Sequence, residues 1–235
     1  MSVDLTFEYA LRDRGHVCVA GVDEVGRGAW AGPVMAAAVA LPLARFDLAS
    51  ALAGVDDSKA LTPAQREAMV PRIVEIAAAV GVGSADAAEI DAVGIAAATR
   101  LAMRRAVAQL RVRPSHLLID YFDLPESGLP CTALVKGDAR SLSIAAASIV
   151  AKVARDRLME DLDAQYPCYG FGAHKGYGTA LHRRALARFG PTPIHRRSFR
   201  PVAAHNRPAQ PSALETPGSV VQDRVDARVS PVDRW

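Results

Sequence analysis

The feature that most constrains the fold is a run of eight residues without a polar side chain, residues 34–41. A strand with one face in water alternates apolar and polar residues. This run is apolar on both faces, as in a central strand that is covered by helices on both sides. Residues 16–23 predict a strand before it, and helix-like and strand-like segments alternate along the following chain. The sequence therefore predicts an α/β domain.

Helix signals follow this central strand. Thr62 is a predicted N-cap, with Pro63 at the first helical position and Gln65 completing a capping box. We expect this helix to run toward Val80 and to kink or split at Pro71, because proline removes one backbone donor. The other predicted elements are strands at residues 80–84, 116–120 and 131–135, and helices at residues 84–110, 141–166 and 179–190.

Composition is typical of a folded protein from a reducing compartment. Half of the 235 residues are hydrophobic, which is sufficient for one sizeable core. The three cysteines have neither disulfide nor zinc-site spacing, and we expect Cys18 and Cys131 to be buried thiols. The N-terminus has no signal-peptide pattern, and the longest apolar run, residues 34–44, is shorter than the about 20 residues of a membrane-spanning helix. We therefore expect a cytoplasmic protein.

The C-terminal part differs from the rest in charge and composition. Residues 174–207 contain eight Lys and Arg, four His and no acidic residue, although the net charge of the chain is only +3. Such a block is typical of a polyanion-binding surface, and charge alone does not separate that from a solvated arginine-rich surface. Five prolines lie among polar residues from residue 201 onward. We predict a monomeric domain at residues 1–200, with a basic helical part at about 141–200, and a disordered tail at residues 201–235.

Four acidic residues lie where strands end or helices begin: Asp23, Glu24, Asp120 and Asp138. Because sites in α/β sheets form at the carboxyl ends of strands, we expect these side chains to converge. Neighbours on a regular strand point to opposite faces, so Asp23 and Glu24 share a site only if the chain leaves strand geometry there. Hard divalent ions such as Mg²⁺ or Mn²⁺ relieve the repulsion between carboxylates, and two such ions about 4 Å apart can catalyse phosphodiester cleavage.

Five segments of the chain together carry a resemblance to a known family. They are residues 21–28 (GVDEVGRG) continuing to 31–33 (AGP), 57–63 (DSKALTP), 135–138 (VKGD) with 144–152 (IAAASIVAK) and 155–157 (RDR), 174–179 (HKGYGT), and 193–199 (PIHRRSF). In this order they resemble the signatures of the ribonuclease HII family, bacterial type, over residues 17 to 200. The tail lies outside the resemblance.

The resemblance implies a ribonuclease H-like fold, with a mixed five-stranded sheet flanked by helices and a helical C-terminal extension. It implies an endoribonuclease that hydrolyses the RNA strand of RNA–DNA hybrids and nicks 5′ of ribonucleotides embedded in duplex DNA, leaving 5′-phosphate and 3′-hydroxyl ends. Two Mn²⁺ or Mg²⁺ ions are implied cofactors. The site residues that match family positions are the metal-binding Asp23, Glu24, Asp120 and Asp138, the 2′-hydroxyl-contacting Gly26, Arg27 and Gly28, the junction-reading Tyr177, and the phosphate-contacting Ser58 and Lys59.

Two departures from the family pattern lie near the predicted site. The family often has glycine after the third carboxylate, whereas here Tyr121 and Phe122 follow Asp120. Asp123 is then a rival carboxylate for the same role. Trp30 is large where many relatives carry a smaller residue.

Two other functions stay open at this point. A different metal nuclease of the same fold would share the carboxylates but would need no sensor for the 2′-hydroxyl that distinguishes RNA from DNA. A hybrid-binding protein that does not cleave would keep the basic surface, and the bulky Tyr121 and Phe122 leave that reading open.

Overall fold

The computed structural model describes residues 3–56 and 58–205. Its centre is a five-stranded sheet with the order β3-β2-β1-β4-β5. β1 pairs antiparallel with β2 and parallel with β4, while β2–β3 is antiparallel and β4–β5 is parallel. The predicted mixed five-stranded sheet is confirmed. The strands are β1 (Val19–Val25), β2 (Val34–Ala40), β3 (Ala79–Ala85), β4 (His116–Asp120) and β5 (Cys131–Leu134).

Helices cover both faces of the sheet. One face packs against α6, supported by α1, α2 and α3, and the other face packs against α5 and α4. The helices in the described part of the chain are α1 (Thr6–Arg12), α2 (Leu48–Ala51), α3 (Pro63–Ile76), α4 (Ala87–Val93), α5 (Ile95–Ala108), α6 (Leu142–Gln165), α7 (Phe171–His174), α8 (Ala180–Phe189) and α9 (Arg200–Ala203). None of the helices within these described residues is both long enough and apolar enough to cross a membrane.

The central strand β2 explains the three layers. All seven of its residues are buried, and six of them are alanine or valine, whose side chains are small enough to let helices approach on both sides. Glycines in the neighbouring strands bring the helices closer still. A Cβ placed at Gly21 would lie 2.1 Å from the backbone of Ser143 in α6, and one at Gly81 would lie 2.1 Å from the backbone of Ala106 in α5. The helix backbones therefore rest directly on the sheet.

The sequence predicts where α3 starts more accurately than it predicts whether this helix continues. The Thr62–Gln65 capping box is present, but the break predicted at Pro71 is wrong, and α3 runs on to Ile76. Pro71 is exposed, whereas Val70 and Ile73 are buried. The packing of the two buried residues keeps the helix continuous. Because Pro71 faces solvent, water can bond to the carbonyl that would otherwise accept an N–H from this position.

The predicted continuous helix over residues 84–110 is two helices. Asp86, rather than Ser84, caps α4 through a capping box with Glu89. Gly94 then separates α4 from α5, because its φ of 78° and ψ of 156° are not helical. The predicted first strand starts three residues late, at Val19, since Val17 is exposed outside the sheet.

The C-terminal extension packs against the end of α6. Met159 of α6 forms a small core with Tyr169, Phe171 and Ala185. The predicted tail lies mostly at residues 206–235, outside the described residues. Its first residues belong to the folded part, because α9 extends to Ala203 and Val202 is buried.

The three cysteines are free thiols, as the absence of disulfide spacing predicts. Cys18 and Cys131 are half-buried rather than buried, and Cys168 is exposed. The expectation of fully buried thiols is therefore wrong for the first two. Cys18 directly precedes β1, and Cys131 is the first residue of β5.

We predict that Gly21→Ala lowers the free energy of unfolding by about 3 kcal/mol or more, because the new Cβ meets helix backbone that cannot move aside alone. Chemical denaturation measures the change. Gly28→Ala is the matched control: its nearest contact would be the Tyr177 ring at 3.9 Å, and its stability should stay within about 0.5 kcal/mol of wild type. Equal effects of the two substitutions would contradict the close approach of α6 to β1.

Candidate active site

A cleft of about 340 Å³ opens where β1 and β4 end. Nine of the ten predicted site residues line it. The tenth, Asp138, does not line the cleft but contacts Lys59, which does. The lining residues are Asp23, Glu24, Val25, Gly26, Arg27, Gly28, Ser58, Lys59, Arg66, Asp120, Ser148, Lys152 and Tyr177. The convergence expected at the carboxyl ends of the strands is thus present in the geometry.

Asp23 is as enclosed as Asp138, and each is only 4% exposed. It is buried beneath α6, and its Oδ1 accepts the backbone N–H of Glu24 at 2.7 Å. Burial raises the pKa of Asp23 well above its ordinary value, and the charges of Glu24 and Asp120 raise it further. A hydrogen bond from Ser148 opposes this rise. A buried anion under such repulsion favours a cation beside it.

Glu24 shares the cleft although β1 does not leave strand geometry before Val25. The predicted departure from the strand is therefore not required, since both carboxylates reach the cleft from the strand end. Burial raises the pKa of Glu24 to about 7, against the opposing charge of Arg27, whose Nη1 lies 3.4 Å from Oε1. The other oxygen, Oε2, is buried without a hydrogen-bond partner among the described residues.

Asp120 is the last residue of β4, and Asp138 lies in the turn that follows β5. Asp120 Oδ1 accepts the backbone N–H of Gly137 at 2.6 Å, and burial raises the pKa of Asp120. Asp138 is buried, and its Oδ2 lies 2.5 Å from Nζ of Lys59. Gly137 has little room for a side chain, because a Cβ would lie 2.6 Å from Ile144. The turn at Gly137 therefore holds the two aspartates at the same rim.

These carboxylates are not arranged as a preformed ion cage. Among residues 3–56 and 58–205, no group of three or more His, Cys, Asp or Glu side chains has the geometry to hold a metal ion. Lys59 engages Asp138 and Arg27 engages Glu24, so two cationic side chains partly balance the negative charge. The Lys59 side chain is 75% exposed, so one of the two cationic groups that offset the carboxylate charges is accessible to solvent.

The loop after β1 is held by two buried arginines. Arg155 of α6 donates from Nε to the carbonyl of Pro33 at 2.9 Å and from Nη2 to that of Ala31 at 3.2 Å. Arg196 donates from Nε to the carbonyl of Gly32 at 3.0 Å and from Nη1 to that of Arg27 at 2.8 Å. Burial lowers the pKa of Arg196 to about 9, which leaves it charged at neutral pH.

Gly26 owes its identity to this arrangement. Its φ is 87°, which favours glycine, and a Cβ there would lie 2.1 Å from Nε of Arg155. The loop backbone therefore enters the cleft with no side chain between it and the arginine beneath. An approaching ligand meets main-chain groups at this point.

Tyr177 borders the same loop. It is 37% exposed, and a Cβ at Gly28 would lie 3.9 Å from its Cε1 atom. The guanidinium of Arg155 lies 5.7 Å from the centre of its ring, and Arg155 also donates to the carbonyl of Lys175 at 2.9 Å. One arginine thus joins the glycine loop to the segment that carries Tyr177.

Four lining residues were not among the predicted site residues: Val25, Arg66, Ser148 and Lys152. Ser148 and Lys152 are four residues apart on α6 and so share one face of it, which was the available signal in the largely apolar first half of that helix. Ser148 lies 2.8 Å from the hydroxyl of Ser58, and Lys152 donates to Asp156 at 2.6 Å. Lys152 therefore lines the cleft while its ammonium group is paired with Asp156.

The departures from the family pattern lie beside the cleft rather than in it. Tyr121 has a φ of 61° and is 66% exposed, and it does not line the cleft. Phe122 packs under Arg27, with 4.6 Å between the guanidinium and the ring centre. Asp123 accepts the Leu124 N–H and the Cys131 thiol, away from the lining residues. The geometry favours Asp120 over Asp123. Trp30 packs against the helix that follows Tyr177.

The basic block of residues 174–207 divides into a buried and an exposed part. His174, His182, His195 and Arg196 are buried, so these four residues of the block do not form part of the predicted basic surface. The three histidine rings pack around Phe171 in the core of the C-terminal extension. A neutral imidazole can be buried in this way when its nitrogens are hydrogen-bonded. The exposed part consists of Arg183, Arg184, Arg188, Arg197 and Arg200.

Comparisons with known proteins agree with this architecture. The family model described as ribonuclease HII matches residues 20–202. A ribonuclease HII of Chloroflexus aurantiacus is 56% identical over 202 residues, covering 86% of this chain and 95% of that protein. A ribonuclease HII of a Synechococcus species is 58% identical over 198 residues, covering 84% and 88%.

The fold agrees as well. The crystal structure of ribonuclease H2 from Pyrococcus horikoshii OT3 is similar with a TM-score of 0.68 and 30% identity, covering 80% of this chain and 96% of that one. The expected ribonuclease H-like fold is confirmed. A family model that spans most of the domain, together with relatives above 50% identity, also decides between the functions left open by the sequence. The chain belongs to the ribonuclease HII family and is a ribonuclease H, a hydrolase.

Proposed function

We propose that this ribonuclease H hydrolyses the RNA strand of RNA–DNA hybrids and nicks duplex DNA on the 5′ side of embedded ribonucleotides, with two divalent ions. The observation that carries the proposal is one cleft in which three mutually repelling carboxylates adjoin a side-chain-free loop and an exposed tyrosine. The carboxylates suit phosphodiester hydrolysis. The loop and the tyrosine suit recognition of a ribose next to a deoxyribose.

The donor set fits hard divalent cations such as Mn²⁺ or Mg²⁺. Asp23 and Glu24 are buried with raised pKa values, and Glu24 Oε2 has no hydrogen-bond partner in the described chain. Asp23, Glu24, Asp120 and Asp138 would hold the ions, and Lys59 would give up its contact with Asp138 as they bind. When bound, such ions supply an activated water and stabilise the departing 3′-oxygen.

The chain's own residues select the substrate. The backbone at Gly26 and Gly28 meets the ribose 2′-hydroxyl at close range, since neither residue carries a side chain. The Tyr177 ring, beside Gly28, packs on the deoxyribose that follows. Ser58 and Lys59 contact a phosphate from the opposite rim, and the exposed arginines of α8 extend the basic surface along the duplex.

The cellular setting remains a prediction. We expect the enzyme to act in the cytoplasm as a monomer, in keeping with its free cysteines. The division into a catalytic domain and a tail is proposed in the same way, with the boundary moved from residue 200 to the end of α9 at Ala203.

The decisive experiment is cleavage of a DNA duplex with one embedded ribonucleotide, with Mg²⁺ or Mn²⁺, beside an all-DNA duplex. We expect one nick 5′ of the ribonucleotide, products with 5′-phosphate and 3′-hydroxyl ends, and no cut in the all-DNA control. Asp138→Asn should lower the rate about 100-fold or more, while Asp123→Asn, outside the cleft, should not. Cleavage of long hybrids but not of the embedded ribonucleotide would overturn the junction-reading part of the proposal.

We predict that Tyr177→Ala lowers cleavage at a single embedded ribonucleotide about tenfold or more, because the apolar contact with the deoxyribose is lost. Tyr177→Phe keeps the ring and should retain most of the rate. Steady-state kinetics of both variants on the same duplex makes the comparison. A Tyr177→Ala rate close to wild type would remove this residue from substrate recognition.

We predict that Glu24→Gln raises the thermal unfolding temperature of the metal-free protein. With a pKa of about 7 when folded and 4.5 as its ordinary value, Glu24 binds more protons in the folded state between these pH values. The stability of the wild type relative to the variant therefore falls as pH rises from 4.5 to 7 and stays constant above. Scanning calorimetry in EDTA from pH 5 to 8 tests the trend.

The same experiment with Mn²⁺ tests the ion site without relying on activity. The ion should raise the unfolding temperature of the wild type and raise that of Glu24→Gln less. Glu126→Gln is the control, because Glu126 is on the surface beside Arg100. A Glu24→Gln variant that responds to Mn²⁺ as strongly as the wild type would remove Glu24 from the ion site.

A further inference from the structure

Three buried histidines lie directly behind Tyr177. The rings of His174 and His182 stack with centroids 4.6 Å apart and planes at 10°. His182 and His195 meet through their Nε2 atoms at 3.0 Å. His182 and His195 are almost fully enclosed, with 0% and 1% of their surfaces exposed. None of the three lines the cleft, so the proposed reaction does not use them directly.

The hydrogen bonds around this pair fix where the protons lie. The backbone N–H of Thr192 can only donate, and it lies 3.0 Å from Nδ1 of His195. Neutral His195 therefore carries its proton on Nε2 and donates it to Nε2 of His182. His182 in turn carries its proton on Nδ1, which lies 3.1 Å from the carbonyl oxygen of Tyr177. A single set of tautomers satisfies every bond in this chain.

This chain of hydrogen bonds ends at the backbone carbonyl of Tyr177, which is part of the main chain that orients the tyrosine side chain. The N–H of Tyr177 donates to the carbonyl of His174 at 2.9 Å, and its carbonyl accepts from Thr179 at 2.8 Å as well as from His182. The main chain on both sides of the residue is thus fixed. The direction of the Tyr177 ring toward Gly28 depends on where this peptide is held.

We propose that His195 and His182 are positioning residues for Tyr177. As two neutral imidazoles, they form a directed chain of hydrogen bonds that runs from the N–H of Thr192 to the carbonyl of Tyr177. The inference rests on the proposed role of Tyr177 in reading the ribose–deoxyribose junction. Protonating either ring breaks the chain. A second proton on His182 lies on Nε2 and faces the Nε2–H of His195, and a second proton on His195 lies on Nδ1 and faces the N–H of Thr192.

The surroundings keep the pair neutral. Burial is the main reason that the pKa of His182 is lowered to about 4 and that of His195 to about 3. The groups that face the pair are His174 from α7, the Tyr169 ring, Arg197 beyond His195, and Arg183 of α8 over Trp30. The charged groups in this set are cationic, so they oppose a further positive charge. The chain of bonds is therefore complete throughout the neutral pH range.

Two substitutions at one position separate positioning from packing. His182→Asn places an amide N–H near the position of Nδ1 and keeps the bond to Tyr177 while losing the ring. His182→Phe keeps the ring between His174 and Trp30 but loses the bond. We compare kcat/KM on the single-ribonucleotide duplex with kcat/KM on a long RNA–DNA hybrid, so that effects on the shared chemistry cancel.

The expected result is a ratio of junction to hybrid cleavage that stays within about twofold of wild type for His182→Asn and falls about five- to tenfold for His182→Phe. The reverse order, or equal ratios, would overturn the positioning role and leave packing alone. Loss of junction cleavage by the wild type itself would instead reject the proposed function. The two failures are thus distinguishable.

A spectroscopic measurement keeps the inference testable if both variants misfold. In the wild-type protein labelled with ¹⁵N-histidine, long-range proton–nitrogen correlation should show His195 protonated on Nε2 and His182 on Nδ1, both neutral from pH 8 to about pH 5. The wild-type ratio of junction to hybrid cleavage should be constant over the same range. A charged ring at pH 6, or His182 protonated on Nε2, would refute the proposed chain.

Discussion

The active-site loop depends on two buried guanidinium groups whose hydrogen bonds within the described residues all go to backbone carbonyls. Arg155 and Arg196 together donate five hydrogen bonds to carbonyls, four of them in residues 27–33. A buried charge is costly without partners, and carbonyl oxygens aimed at it repay much of that cost. Because guanidinium donors have fixed directions, the loop cannot shift without leaving one of them unbonded. The position of the loop backbone follows from this constraint.

The same arginines support the loop that follows the first two carboxylates and the segment that carries Tyr177. Three of the four carboxylates have raised pKa values, through burial and through one another, and the arginines lie immediately behind the loop that follows them. The Arg155 side chain also reaches the ring of Tyr177. The anionic part of the cleft and the part proposed to read the sugar therefore share one rigid support. A mutation at this support would affect ion binding and sugar recognition together.

The sequence predicted those features that are encoded locally. The apolar run of β2, the cap at Thr62 and the carboxylate at the end of β4 each follow from residues close in the chain. The continuous path of α3 through Pro71 could not be predicted, because the packing of Val70 and Ile73 against distant elements decides it. The burial of the histidines could not be predicted either, because the side chains that cover them come from residues that are not adjacent to them in the chain. The Lys59–Asp138 contact joins residues 79 apart and carries no local signal.

The bond between Arg196 and the carbonyl of Arg27 spans 169 positions of the chain. During synthesis the sheet strands and α6 emerge well before Arg196, so the nascent chain can assemble its core while the loop at residue 27 still lacks a partner. The cleft is completed only when the last described segment docks, which Asp91 secures by accepting the N–H groups of Arg197 and Ser198. A product terminated before Arg196 would therefore keep the residues of the sheet and α6 and still lack these bonds to the loop. The order of the site thus depends on residues that are synthesised after the elements that form its floor.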